Sequence, residues 1–339
     1  MRIATMFSAE QVKRVNEAFA KCRLLVIGDV MLDHFIWGNV RRISPEAPVP
    51  VVEVTKETWY PGGAANVARN IAPFSKHVHL MGRVGKDSAA DRLRELLVVD
   101  AVDPSPLLIS DDVPTISKAR VTARQQQIVR VDRERFLKLT DGELSEVERR
   151  LRLMAGELDA VIIEDYGKGF VTAGLVEVIA KVAAETGLIV TVDPSPHNPL
   201  TWRGVSLVKP NRLEAFAAAG LSDQLLPMPP MENPELLEVG KVLMEKWDTP
   251  KILITLGEQG MLLFQRDAEP HHIPTRAREV FDVSGAGDTA IALLTLALAA
   301  GQDAIAAAEL ANRASGVVVG KLGTARLTPE ELVEAFEEA

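Results

Sequence analysis

The chain has one cysteine, Cys22, in 339 residues. That excludes an intramolecular disulfide and any cysteine-built metal cluster, and it suits a reducing cytoplasm. It also lacks a basic surplus: the formal net charge of −9 argues against a general nucleic-acid binder. No apolar core of a leader peptide is present in "MRIATMFSAEQVKRVNEAFAKC"; Ser8 and Gln11 instead form a capping box for a short helix. The most apolar later stretch, about 290–300, is too short to span a bilayer and reads as a core helix. No Walker A loop occurs, since "GVVVGKL" (316–322) has the wrong glycine spacing and no Ser or Thr after its lysine. No G-x-G-x-x-G follows a strand, so the usual dinucleotide fingerprint is missing. A cytoplasmic protein without nucleic-acid or membrane partners is expected.

With 47% hydrophobic and 25% charged residues, the chain can fill a sizeable core. "RLLVIGDVML" (23–32) reads as a buried strand that ends in Gly-Asp and enters a loop, and "HVHLMGRVG" (77–85), "AVIIEDYGKG" (160–169), "GLIVTVDPSP" (187–196) and "VSLVKPN" (205–211) read as further strands alternating with helical stretches. That order predicts an α/β fold with a doubly wound, mainly parallel sheet and helices on both faces. "PVPVVEVTKE" (48–57) begins with proline, as an edge strand would. "PTISKARVTARQQQIVRVD" (114–132) alternates like a hairpin wet on one face. A single domain over 1–339 is expected, with small β segments at about 34–60 and 110–132 added to the core.

"DVSGAGD" (282–288) leads straight into an alanine- and leucine-rich helical run. Gly285, Ala286 and Gly287 leave backbone N–H groups bare, and a helix starting there would make an anion site. Read locally, Asp288 is either a stabilising acid in a first helical turn or a catalytic carboxylate. Asn211 and Glu214 in "NRLE" share one face if helical, and Asn211 alone reads as an N-cap. Lys118, Arg120, Arg124 and Arg130 are spaced by even numbers and would share one face of a continuous strand. That face is either a solvated hairpin surface or a grip for phosphate.

"DVSGAGD", "GDVMLD", "PGGAANVARNIA" and "KPNRLE", in that order along nearly the whole chain, resemble the ribokinase-like (phosphofructokinase B) sugar kinases. The resemblance implies a small β lid over the core, Mg²⁺-ATP as phosphoryl donor, and homodimers that pair through the lid. It makes Asp288 the base and Gly285, Ala286 and Gly287 the anion hole. It assigns Asn211, Thr255, Gly257, Gly260 and Asn312 to ATP, and Glu214 to Mg²⁺ through water. Asp282 and Ser284, with backbone of "KLGTA" (321–325), resemble a K⁺ site in which serine replaces the usual threonine. Asp33, Gly62, Gly63 and Asn66 match acceptor positions, while Asp165 and Lys168 lie at a strand end where ligands of such sheets bind.

Longer matches, "GDVMLDHFIWGNVRRISPEAPVPVVEV" and "GVVVGKLGTA", resemble the branch of this family that acts on D-glycero-β-D-manno-heptose 7-phosphate. They imply phosphorylation of its C1 hydroxyl, a step toward ADP-heptose and lipopolysaccharide. An acceptor phosphate needs a cationic clamp, for which Lys118, Arg120, Arg124, Arg130 and Arg83 are candidates. That branch is often fused to a nucleotidyltransferase; the six histidines here form no H-x-G-H, so that second activity is expected elsewhere. Two departures stand out: Ser195 replaces the family's lysine after "VDP", and "VRVDRERF" is less acidic than the family's continuation. The competing expectations are a kinase of another sugar or nucleoside, such as ribose or fructose, and a non-catalytic sugar sensor of the same fold.

Overall fold

A computed structural model describes residues 7–124, 126–225, 228–275, 281–321 and 325–337. Its centre is a sheet of eight strands. In spatial order they are His271–Ile273, Met261–Gln265, Lys251–Thr255, Leu207–Val208, Ile189–Asp193, Ala160–Glu164, Arg23–Gly28 and His77–Met81. All pairings from His77–Met81 across to Lys251–Thr255 are parallel, and the last two strands add on antiparallel. The period-2 alternation of strand side chains sends Leu24 and Val26 into one core and Leu25 and Ile27 into the other. Helices Ala64–Ile71, Ala286–Ala299 and Ala304–Val318 cover the first face; Asp141–Met154, Ala173–Thr186 and Pro234–Trp247 cover the second. Each fully buried Leu, Ile or Val contributes roughly 1.5–3 kcal/mol, which explains the apolar residues at the buried positions of these strands. The expected doubly wound α/β architecture is present.

The strand expectations need three corrections. The first strand ends at Gly28, at the Gly-Asp where it was expected to, but no loop follows: after Asp29 the chain re-enters structure as Val30–Ile43 in a second sheet. Asp29 makes the break because its buried carboxylate gathers the backbone N–H groups of Tyr166, Lys168 and Phe170. "HVHLMGRVG" likewise divides at Gly82 into His77–Met81 and Arg83–Gly85, the latter pairing with Leu108–Ser110. "VSLVKPN" contributes only Leu207–Val208.

The second sheet runs Pro50–Gly63, Val30–Ile43, Ile116–Ala123, Gln126–Arg133, so the proline-led strand is at an edge and 114–132 is a hairpin. The capping box of Ser8 and Gln11 forms as expected. Among the described residues no helix is long and apolar enough to cross a membrane. The carboxyl ends of the central strands deliver Gly28, Glu164, Asp193, Val208 and Thr255 to one edge of the sheet, where an open α/β fold builds its sites.

Candidate active site

Helix Ala286–Ala299 is apolar all round and buried from Thr289 to Ala297, so its N-terminus is fixed against the sheet edge. Gly285 precedes it at φ +82°, a left-handed conformation that glycine adopts without strain. Asp288, in the first turn, does not cap that helix with its side chain: Oδ2 accepts from Nδ2 of Asn66 at 2.5 Å and Oδ1 accepts from the Tyr166 hydroxyl at 3.0 Å. Burial pushes the Asp288 carboxyl up to about 6, with the Asp193 charge adding to the shift and the Asn66 and Tyr166 bonds opposing it.

Two cavities meet beside this turn. One, of about 540 Å³, is lined by Thr255, Gly257, Gly260, Ala286, Asn312 and Ser315 among others, and its walls are largely apolar. Asn312 is buried in its wall and donates to the Pro274 carbonyl at 2.8 Å. The other, of about 710 Å³, is bordered by Glu164, Tyr166, Asp193, Lys209, Glu214 and Asp288. Thr255, Gly257, Val283 and Gly287 border both. The glycine-rich turn is therefore the passage between an apolar chamber and an acidic one.

The acidic chamber holds groups that sequence reasoning missed. Lys209, one residue past a strand, is buried and pairs with Asp193 at 2.9 Å. Burial works against its charge, yet Asp193, Glu164 and Glu214 together raise its ammonium above the usual lysine range. A methyl placed on Gly287 would lie 3.8 Å from its Nζ, so this cation faces the glycine turn. Glu164 is fully buried with one unpartnered oxygen; burial and the charges of Asp193 and Asp288 push its carboxyl well above the carboxylate range. The sequence signal for these residues, and for Tyr166, is a polar side chain at the carboxyl end of an apolar strand. Asn211 is extended and precedes the helix Arg212–Ala219, so the two do not share a helical face; Asn211 is its N-cap, as its residue type alone suggested, and the pair cap the helix reciprocally: Asn211 Oδ1 accepts from Glu214 N and Glu214 Oε2 from Asn211 N. Burial and Asp193 raise the Glu214 carboxyl.

On the second sheet, Arg120 donates to Asp33 Oδ1 at 2.5 Å and lies over the Phe35 ring. Gly62 is packed so closely that a Cβ would sit 2.3 Å from Asp33 Oδ2, and Gly63 leads into the helix bearing Asn66. Lys168 pairs with Glu134 at 2.8 Å. Lys118, opposite Asp33 in the register, makes no ion pair among the described residues; burial and the nearby Lys168 charge lower its pKa. The expectation that the basic residues share one strand face fails at Arg124. It sits in the hairpin turn at φ +55°, after the strand has ended at Ala123. Arg130 does face Arg120, but it is held by Asp132 on its own strand. Arg83 is corrected as well: it is buried and committed to Glu143 and the Leu137 carbonyl. Asp165 is a loop organiser, accepting from Gly167 N and Asn198 Nδ2, and burial with the Asp29 charge pushes it up to about 7. Ser195 Oγ accepts from His197 N. Ser284 N donates to Asp282 Oδ1 at 2.9 Å; of the remaining cation-site candidates in "KLGTA", residues 322–324 lie outside the described residues.

Residues 21–331 match the model of the pfkB family carbohydrate kinases. The bifunctional protein HldE of Vibrio cholerae is 42% identical over 326 residues, covering 96% of this chain and 65% of its own length. That of Chromohalobacter salexigens is 44% identical over 317 residues, covering 93% and 64%. The chain thus spans just under two thirds of these relatives. Among solved structures, Arabidopsis thaliana ribokinase complexed with ribose and ATP superposes with a TM-score of 0.70 at 17% identity, covering 93% of this chain and 99% of that one. Escherichia coli phosphofructokinase-2 in complex with potassium gives 0.72 at 19%, covering 94% and 99%, and at these identities the likeness concerns the fold. With the family model matched across both cavities and the turn between them, the chain belongs to the pfkB family carbohydrate kinases, phosphotransferases that act on a sugar hydroxyl.

Proposed function

We propose that the protein transfers the γ-phosphoryl group of ATP to the C1 hydroxyl of D-glycero-β-D-manno-heptose 7-phosphate. The observation that carries this reading is Asp288, a carboxylate pushed up to about 6 at the passage between two cavities, one residue beyond a bare glycine turn. ATP enters the apolar cavity of Thr255, Gly257, Gly260 and Asn312, and its phosphates reach Gly285–Gly287. The acceptor lies toward Asn66, Gly62, Gly63 and Asp33. Its hydroxyl oxygen bonds to the γ-phosphorus while its proton passes to Asp288; the bridging oxygen leaves with ADP, taking the electron pair of the broken P–O bond. The N–H groups at the helix start, with Lys209 opposite, offset charge on the transferred group.

Among the described residues no three acidic, His or Cys side chains converge as a direct ligand set. Asp193 and Glu214, which border the same chamber, fit a Mg²⁺ held by one or two carboxylates plus water and phosphate oxygens. When bound, that ion neutralises phosphate charge. K⁺ at Asp282 and Ser284 belongs to the same reading. So does a homodimer through the small sheet acting as a lid, whose strands expose Ile43, Val54, Val129 and Val131.

The heptose phosphate is supported by the long matches to that branch and by Lys118, a half-buried ammonium with no ion pair to give up. A sugar without phosphate is the second reading. It is favoured by Arg120 and Lys168, whose charges are already met by Asp33 and Glu134. The test is a coupled ADP-release screen over phosphorylated and unphosphorylated sugars, with and without K⁺. Turnover of heptose 7-phosphate well above ribose and fructose is expected; turnover confined to an unphosphorylated sugar overturns the choice of acceptor.

A further inference from the structure

Asp288 has two hydrogen-bond partners, Asn66 on Oδ2 and Tyr166 on Oδ1. Asn66 lies on the acceptor side, where its amide is due to meet sugar hydroxyls, and its own Oδ1 is buried without a partner. Tyr166 has no such duty. Its position is set by a short loop stitched to buried carboxylates. The N–H groups of Tyr166, Lys168 and Phe170 donate to Asp29 at 2.9, 3.0 and 3.2 Å, and that of Gly167 donates to Asp165 at 2.8 Å. Asp29 is itself fixed, its N–H donating to the Glu164 carbonyl and its carbonyl accepting from Ala64 at the start of the helix that carries Asn66.

We infer that Tyr166 is a positioning residue for phosphoryl transfer: its hydroxyl pins Oδ1 of Asp288, so that Oδ2 is the oxygen that takes the acceptor proton once Asn66 turns to the sugar. The inference rests on Asp288 being the base. A carboxylate turns about a broad, soft torsion, and a single pinned oxygen fixes the plane of the other's lone pairs. Burial among Asp288, Glu164 and Asp193 pushes the phenol well above its usual range, so it stays protonated and can only donate to the carboxylate.

The test is Y166F in the full chain, with the best acceptor from the sugar screen, beside D288N and the double variant. Removing one hydroxyl should leave the melting temperature close to wild type. kcat should fall about 10–100-fold with both KM values within about twofold, as expected when a reacting group is misaligned while binding is kept. Because the lost bond favours the ionised carboxylate, the acid limb of the kcat–pH profile should move to higher pH in Y166F. On the D288N background, Y166F should cost nothing further. An unmoved acid limb, or an equal loss on the D288N background, overturns the role of Tyr166 while leaving Asp288 as the base. Near-normal turnover by D288N overturns both.

Discussion

D288N separates a helix cap from a proton acceptor, because the two roles move stability in opposite directions. An acid in a first helical turn contributes about 0.3–1 kcal/mol, which D288N would forfeit. Here the carboxyl is instead pushed from 3.8 to about 6, chiefly by burial. About two pKa units correspond to about 3 kcal/mol of destabilisation when the group is ionised, and solvent in the open cleft reduces this to about 1–2 kcal/mol. The sign follows from linkage. A carboxyl whose folded pKa lies above its unfolded value contributes most below the unfolded value, and that contribution is lost as pH rises through about 6. D288N should therefore melt above wild type near pH 8, by about 2–4 °C, and the gap should close toward pH 4. The new amide presents a donor to Asn66 Nδ2, but the unpartnered Oδ1 of Asn66 can accept it after an amide flip. Over the same range, ADP release should fall about 10²–10⁴-fold, the usual worth of a general base. A variant that melts below wild type at pH 8 and keeps turnover within tenfold would return Asp288 to the role of a cap.

G287A should split stability from activity. The added methyl has 3.8 Å of room beside Lys209 and improves a helical turn by about 0.5–1 kcal/mol, while obstructing the passage between the cavities; kcat/KM for ATP should drop at least about tenfold as the melting temperature rises. Unchanged kcat/KM would move the phosphates away from this turn. E164Q should change unfolding free energy near pH 7 by less than about 1 kcal/mol in denaturant titrations, because burial and the Asp193 and Asp288 charges disfavour the ionised form of the carboxyl it replaces; a loss above about 3 kcal/mol would mean Glu164 is a buried partner charge of Lys209. K118A should raise KM for a phosphorylated acceptor about tenfold or more and leave KM for ATP unchanged, measured at constant ionic strength. Equal effects on both substrates would remove Lys118 from the acceptor clamp.

Local signals carried much of this molecule. The buried strands are legible because parallel strands covered on both faces need unbroken apolar runs, and the glycine turn because a bare helix start needs small residues. What escaped depends on contacts between distant stretches. Asp29 inside "VIGDVML" is a warning that an apolar run is not one strand, yet the three N–H groups it collects lie in the loop 166–170. Arg124 looked like a phosphate ligand on spacing and Arg83 on its place after a strand; a half-buried glutamate claims Arg83 and a left-handed turn removes Arg124 from its face. The ambiguity of Asp288 is of the same kind. A cap and a base occupy the same first turn, want the same charge and follow the same glycines, so no local pattern divides them. The division comes from partners 222 and 122 residues away, Asn66 and Tyr166, which hold both oxygens of the carboxylate toward the cleft and away from the helix it introduces.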